Sequence, residues 1–334
     1  MQGTLVEGIL KAAASNDDQQ LIMPVSEIGD EKNELLFFFK PECFLFDDET
    51  HTRAIIEMSL KKLDENKVKV CGAVFFSGNA LASLEIMDKH YGYINSMSKT
   101  ASTSVGENDV KAMKEALNIN PAENLPVLGG HEFLKLHPEM NDATLDALWA
   151  TKKSLRLRSG FYYQAFQIGE QQVIMVNGFH PAQLSHFTKD GRKIVLLVLR
   201  SDADWATLKN NLVGDTFPEK ADPASIRGEL FKNNAKYGVE SVTIANNFAH
   251  LSAGPFEAYY ELNNFLARST VANYSITQSL VYNKLKSQGL TEELILKPIS
   301  NPSIKIDSKI SDLFSCTENK DTSEAIVVYT QLFK

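Results

Sequence analysis

The chain has 334 residues, 43% hydrophobic and 23% charged, with a formal net charge of -8. That length holds two domains or one elaborated domain, the composition is ordinary for a soluble globular protein, and the acidic balance argues against general nucleic-acid binding. Cys43, Cys71 and Cys316 are scattered with no C-x-x-C, which argues against a disulfide framework or a Cys-rich zinc site and fits a reducing compartment. The longest apolar runs, Leu35–Phe39 and Ile194–Leu199, are too short to span a bilayer. The first residues include Glu7 and lack a basic region followed by an apolar one, so no secretory signal is read and a cytoplasmic protein is expected.

Residues 1–30 read as an extension with a short amphipathic start at Leu5, Ile9 and Leu10. Glu34–Phe39 predicts a buried strand that ends at Lys40-Pro41, because proline cannot continue sheet pairing. His51–Leu63 carries helical spacing, Val68–Phe76 reads as a second strand, and Ala80–Tyr91 as a second helix. Within 101–190, Asn108–Leu117 and Asn141–Lys152 read as helices, the latter capped by Asn141 or Asp142. Phe161–Phe166 and Gln172–Val176 read as a hairpin around Gly169. Two histidine pairs lie here, His131 with His137 and His180 with His186. A spacing of six suits neither a helix face nor a zinc-finger tail, so they are taken as surface or structural residues. Lys152, Lys153, Arg156 and Arg158 read as a solvated basic face. Ile194–Arg200 has a central-strand pattern, Asp204–Leu212 a helical one, and Glu240–Ala245 reads as the last core strand. Pro255–Phe265 reads as a helix with proline in its first turn. Residues 270–290 read as helical, and Ala325–Tyr329 as a strand.

Between Gly214 and Glu261 the chain collects Thr216, Arg227, Asn247, His250, Ser252 and Glu261. An imidazole carries a covalent intermediate when a neighbour holds its tautomer and orientation. Glu261 lies eleven residues after His250, and a helix from Pro255 folds that carboxylate back under the ring. Arg227 offers a planar fork of donors for phosphate oxygens. Thr216, Asn247 and Ser252 fix oxygens without adding charge. Lys40, at a strand end, reads equally as a solvated edge lysine or as a cation that reaches a phosphate. Phosphoryl transfer needs mostly positioning and charge stabilisation.

The arrangement is G-x-T-x-P at Gly214–Pro218, S-I-R-G at Ser225–Gly228, N-x-x-H-x-S at Asn247–Ser252, then Glu261. In order and spacing it resembles the nucleoside diphosphate kinase family. Lys40-Pro41-Glu42 resembles the family's K-P-D, and His90-Tyr91 its H-Y. The resemblance covers roughly 33–100 and 191–268, and implies a discontinuous core over 31–100 and 191–268, an insertion at 101–190 and a C-terminal extension at 269–334. The expected fold is α/β in the α+β sense: a ferredoxin-like antiparallel sheet with helices on one face, plus an additional lobe from the insertion and tail. The resemblance implies that His250 takes the γ-phosphoryl of ATP or another nucleoside triphosphate and passes it to a diphosphate, with Glu261 orienting it and Ser252 supporting both. Lys40, Tyr91 and Arg227 would face the phosphoryl, Thr216 the outer phosphate, and Asn247 sugar or phosphate. Mg2+ would be bound through the nucleotide, and a homo-oligomer is implied.

Three positions depart from the family. Asn210 stands where it has a phosphate-contacting arginine, with Lys209 beside it; Leu251 replaces a glycine and Ala253 an aspartate. Losing one charge-assisted hydrogen bond costs roughly 1.5–3 kcal/mol, about 10- to 150-fold in rate. The stretch after Tyr91 also lacks the aromatic that stacks on the base. The alternatives are a non-catalytic nucleotide-binding or assembly module, or a histidine phosphotransfer protein.

Overall fold

The computed structural model describes residues 2–306 and 309–333, with backbone alone at 306, 309 and 310. It divides into two compact units: one runs to Leu84 and resumes at Asp190, and the other is Glu85–Lys189.

In the first unit the elements that build the site are α1 (Gln2–Ala14), β1 (Gln19–Met23), β2 (Asn33–Phe39), α2 (Glu49–Glu65), β3 (Lys69–Ser77), β4 (Lys193–Ser201), α3 (Ile226–Lys232), β5 (Ala249–Leu251), α4 (Pro255–Phe265), α5 (Leu280–Ser287) and α6 (Thr322–Phe333). The sheet has five strands in the order β1-β3-β4-β2-β5, and every neighbouring pair is antiparallel. Without β1 the order is second-third-first-fourth, the ferredoxin-like arrangement. β2 is buried along its whole length, as a continuous apolar run in a central strand requires. Its Leu35, Phe37 and Phe39 join a core with Ile9 and Leu10 of α1, Ile55, Ile56 and Leu60 of α2, and Ile226 and Leu230 of α3. On the other side Phe38 meets Phe265 of α4 at 5.7 Å between ring centroids. Helices therefore cover both faces, where the sequence suggested one.

Five further sequence expectations change. Residues 1–30 supply α1 and the edge strand β1, both part of the core. Glu240–Ala245 forms no strand, because the place beside β2 is taken by Ala249–Leu251. The stretch from Ala80 to Tyr91 is two short helices broken at Glu85, whose φ is +52°. Ala325–Tyr329 lies inside helix α6: Ala325, Ile326 and Tyr329 are buried while Val327 is 52% exposed, a helical and not an alternating pattern. Within 270–290 the helical segments are Leu280–Ser287 and a single turn at Ile276–Gln278, with irregular backbone before and between them.

The second unit has its own four-stranded sheet, in the order Val127–Gly129, Gln171–Val176, Phe161–Ile168, Leu155–Arg158. Its helix Asp142–Ala150 is capped by Asn141, whose side chain accepts from the Thr144 N–H. Among the described residues no helix is long and apolar enough to cross a membrane.

Candidate active site

His250 sits on β5, paired with Phe38 of β2. Its ring stacks on the Phe38 ring at 4.4 Å and 16°, so the sheet forms the floor under the imidazole. α4 begins with Pro255 after Gly254 and turns its buried face toward β5. That brings Glu261 Oε1 to 2.8 Å from His250 Nε2. Glu261 is fully buried, and His250 keeps 20% of its side chain exposed. The second carboxylate oxygen accepts the Ser252 hydroxyl at 2.5 Å. Ser252 is itself fixed to β2: its N–H donates to Leu36 O at 3.0 Å, and its Oγ accepts from Leu36 N–H at 3.2 Å. A buried carboxylate with both oxygens engaged holds one rotamer and sets the imidazole's orientation.

Two cations approach from β2 and α3. Lys40 Nζ donates to Asn247 Oδ1 at 2.6 Å. Arg227 donates to Gly214 O and Ala249 O, both at 2.9 Å, while its buried Nε has no hydrogen-bond partner among the described residues. Burial pushes Lys40 down to about 8, opposed by Glu42 and helped by Arg227. Burial likewise lowers Arg227 to about 10. Burial, then Lys40 and Arg227, hold His250 well below the ordinary histidine value, so the imidazole is neutral at neutral pH. A neutral imidazole beside two desolvated cations suits a nucleophile working on an anion.

Thr216 lies on an exposed stretch two residues beyond Gly214. Gly214 has φ +93°, and a Cβ there would lie 2.3 Å from Ser225 Oγ, so the turn that ties this loop to Arg227 requires glycine. Tyr91 belongs to the second unit, where it packs edge-on against His90 at 4.7 Å and His180 at 5.9 Å.

Several contributors carry no motif. Phe248, two residues before His250, has φ +67°, and the Ala249 N–H closes a three-residue turn onto Asn247 O at 2.8 Å. Such backbone in a bulky residue costs about 1–3 kcal/mol. It is held by Glu42 Oε1, which accepts the Phe248 N–H at 2.8 Å, and by the Lys40 N–H on Phe248 O at 3.0 Å. The Phe38 floor was hidden in an apolar run, and only pairing register reveals it. Among the departures, Lys209 is drawn to Glu318 at 2.5 Å, Asn210 is exposed, and the Leu251 side chain is buried in the core. The Ala253 N–H is taken by Glu257 Oε2.

The sequence matches no protein-family model and no curated protein. Solved structures resemble it distantly over about 70% of its length. Nucleoside diphosphate kinase from Encephalitozoon cuniculi shares 13% identity at a TM-score of 0.35, covering 73% of this chain and 95% of that one. The enzyme from Pyrobaculum aerophilum shares 15% at 0.33, covering 70% and 94%. Nucleoside-diphosphate kinase from Borrelia burgdorferi, solved as a transition-state mimic with vanadate and ADP, shares 15% at 0.33, covering 73% and 92%.

The donor set bears on a metal. Both oxygens of Glu261 are engaged by His250 and Ser252, and Lys40 and Arg227 supply positive charge. This lining suits an anion better than a divalent cation held by protein oxygens alone.

In the second unit His131 Nδ1 meets Ser98 Oγ at 2.9 Å, and the fully buried His180 meets Gln183 and Asn95 at 2.9 and 3.2 Å. His137 stacks on Phe133 at 4.2 Å. Arg158 pairs with Asp109 at 2.6 Å, and Lys152 lies 5.1 Å over Phe166.

Proposed function

We propose that this protein transfers a phosphoryl group from a nucleoside triphosphate to a nucleoside diphosphate through a phosphohistidine on His250. One observation carries the reading: a fully buried Glu261 spans His250 Nε2 and the Ser252 hydroxyl at 2.8 and 2.5 Å. Binding alone needs no such device, because it puts a desolvated carboxylate behind a ring nitrogen. With the proton on Nε2, donated to Glu261, the lone pair lies on Nδ1. That nitrogen attacks the γ-phosphorus, and the bond to the β-phosphate oxygen breaks, releasing a diphosphate. A terminal oxygen of a second diphosphate then attacks the phosphohistidine, and the N–P electrons return to Nδ1. Two half-reactions predict ping-pong kinetics.

Lys40 and Arg227 offset charge on the transferring group, where fixed donors act without reorganisation. Thr216 contacts the outer phosphate, and Asn247 holds Lys40 and a sugar or phosphate oxygen. Glu261 gains strength as the imidazole becomes cationic in the intermediate. Magnesium bound to the nucleotide neutralises further phosphate charge.

A nucleotide-binding module without chemistry is favoured by Asn210 and by the engagement of Lys209 with Glu318. One experiment separates the readings. The protein is incubated with γ-labelled ATP and magnesium, beside His250→Ala, and the label is tested for acid-lability. A nucleoside diphosphate is then added. Label that requires His250 and moves to the diphosphate is the expected result. Label that stays on the protein points to transfer to another protein, and ATP binding without label leaves the binding module.

A further inference from the structure

The C-terminal extension reaches the loop that follows His250. The Asn319 N–H donates to Ala253 O at 2.9 Å. Gly254 lies so close to Thr317 that a Cβ would sit 2.7 Å from its carbonyl oxygen. Beneath them runs a buried chain of hydrogen bonds. The indole N–H of Trp205 donates to Ser252 O at 3.0 Å, and its backbone N–H to Asp321 Oδ1 at 2.8 Å. Asp321 Oδ1 also accepts from Asn33 Nδ2 at 2.8 Å, and Oδ2 pairs with Lys32 at 2.5 Å. Trp205 is fully buried and Asp321 is 8% exposed. Burial opposes the charge on Asp321, but Lys32, the Trp205 N–H and Asn33 outweigh it and keep the carboxyl below its ordinary value.

The geometry points to Trp205 and Asp321 as positioning residues for His250, acting through Ser252 and Glu261. A buried indole N–H must find an acceptor. Here that acceptor is the carbonyl of the residue whose hydroxyl orients Glu261. Ser252 is thereby pinned at its N–H by Leu36 and at its C=O by Trp205. Its hydroxyl lies within reach of either Leu36 O at 3.1 Å or Glu261 Oε2 at 2.5 Å, so small backbone shifts decide which it serves. Asp321 sets Trp205 and ties it to Asn33 at the start of β2, the strand that carries Phe38 and Leu36. A tail with no recognisable motif thus becomes part of the support of the candidate nucleophile. The inference concerns the orientation of the imidazole; only its kinetic arm rests on the proposed phosphotransfer.

The test uses the full chain with 15N-labelled histidine, the His250 resonances being those lost in His250→Gln. Tautomer populations and titration are compared in the natural protein and in Trp205→Phe, Asp321→Ala and Asp321→Asn. Trp205→Phe keeps an aromatic ring but removes the N–H and leaves a cavity where the larger indole sat; Asp321→Ala breaks the same chain of bonds without emptying that core position. Asp321→Asn keeps an oxygen for Trp205. Expected are a several-fold rise of the Nδ1–H tautomer in Trp205→Phe and Asp321→Ala, and a natural pattern in Asp321→Asn. Ile295→Ala, which weakens the tail's own core without touching this chain of bonds, should leave His250 unchanged. In the kinetic arm, phosphohistidine formation slows about tenfold with nucleotide Kd unchanged, within the range for small misplacements of reacting groups. Natural His250 tautomers in folded Trp205→Phe and Asp321→Ala would overturn the inference, as would an equal change in Ile295→Ala. If the natural protein takes up no label while the tautomer still responds, the positioning role stands and the phosphotransfer reading falls.

Discussion

At the scale of single residues the site is a buried carboxylate holding a largely buried imidazole, with two cations kept at a desolvation cost. Ser252→Ala removes the donor on Glu261 Oε2 and leaves a buried charged oxygen without it, which costs about 1–3 kcal/mol; a fall in the urea midpoint without a change in slope is expected. Lys40 yields a pH prediction. Its ammonium is pushed down from 10.5 to about 8, so it is charged below that pH and neutral above. Nucleotide affinity is expected to be flat below pH 8 and to fall as pH rises through it, by at most about tenfold per unit. Lys40→Met should abolish that fall in calorimetric titrations. For folding the sign reverses. Between about 8 and 10.5 the unfolded chain holds a proton that the folded one has lost, so Lys40's contribution to stability improves as pH rises.

At the scale of elements, β5 is three residues long yet carries His250. It is short because the strained turn at Phe248 ends it on one side and the Ser252–Gly254 loop on the other. The strain is sustained by Glu42 and by the Lys40 backbone, which couples the end of β2 to the start of β5. The opposite edge is different. β1 covers β3 through pairs running from Gln19↔Phe76 to Met23↔Ala73. A chain beginning at residue 25 would leave that edge of β3 open, and exposed edges pair with other chains. Concentration-dependent self-association is expected by sedimentation velocity, with the full-length chain as reference.

At the scale of the whole molecule, the chain leaves the first unit after Leu84 and returns at Asp190. On return Asp190 Oδ1 accepts from Asn79 at 3.2 Å, and Arg192 O accepts the Gly78 N–H at 2.6 Å. The sheet, its core and the His250–Ser252–Glu261 contacts lie entirely in the first unit. Replacing Glu85–Lys189 with a short Gly/Ser linker should therefore give a cooperatively folding protein. A single cooperative urea transition is the expected result, and an unfolded product would refute the independence of the unit.

What the sequence determined by itself is what local pattern controls. The apolar runs of β2 and β4, the spacing of α2, the hairpin around Gly169 and the Asn141 cap are all properties of a few adjacent residues. The eleven-residue separation of His250 and Glu261 likewise needed only a helix from Pro255 to bring carboxylate and ring together. Tertiary structure decided the rest. Residues 1–30 joined the core because an open edge of β3 was there to be paired. Ala325–Tyr329 became helix because a five-residue apolar run fits either period until its burial partners choose. Phe38 lies under His250 by register, and the tail reaches Ser252 through Trp205 and Asp321, which stand 116 residues apart. Contacts at such separation depend on the completed packing of the chain, and no local spacing encodes them.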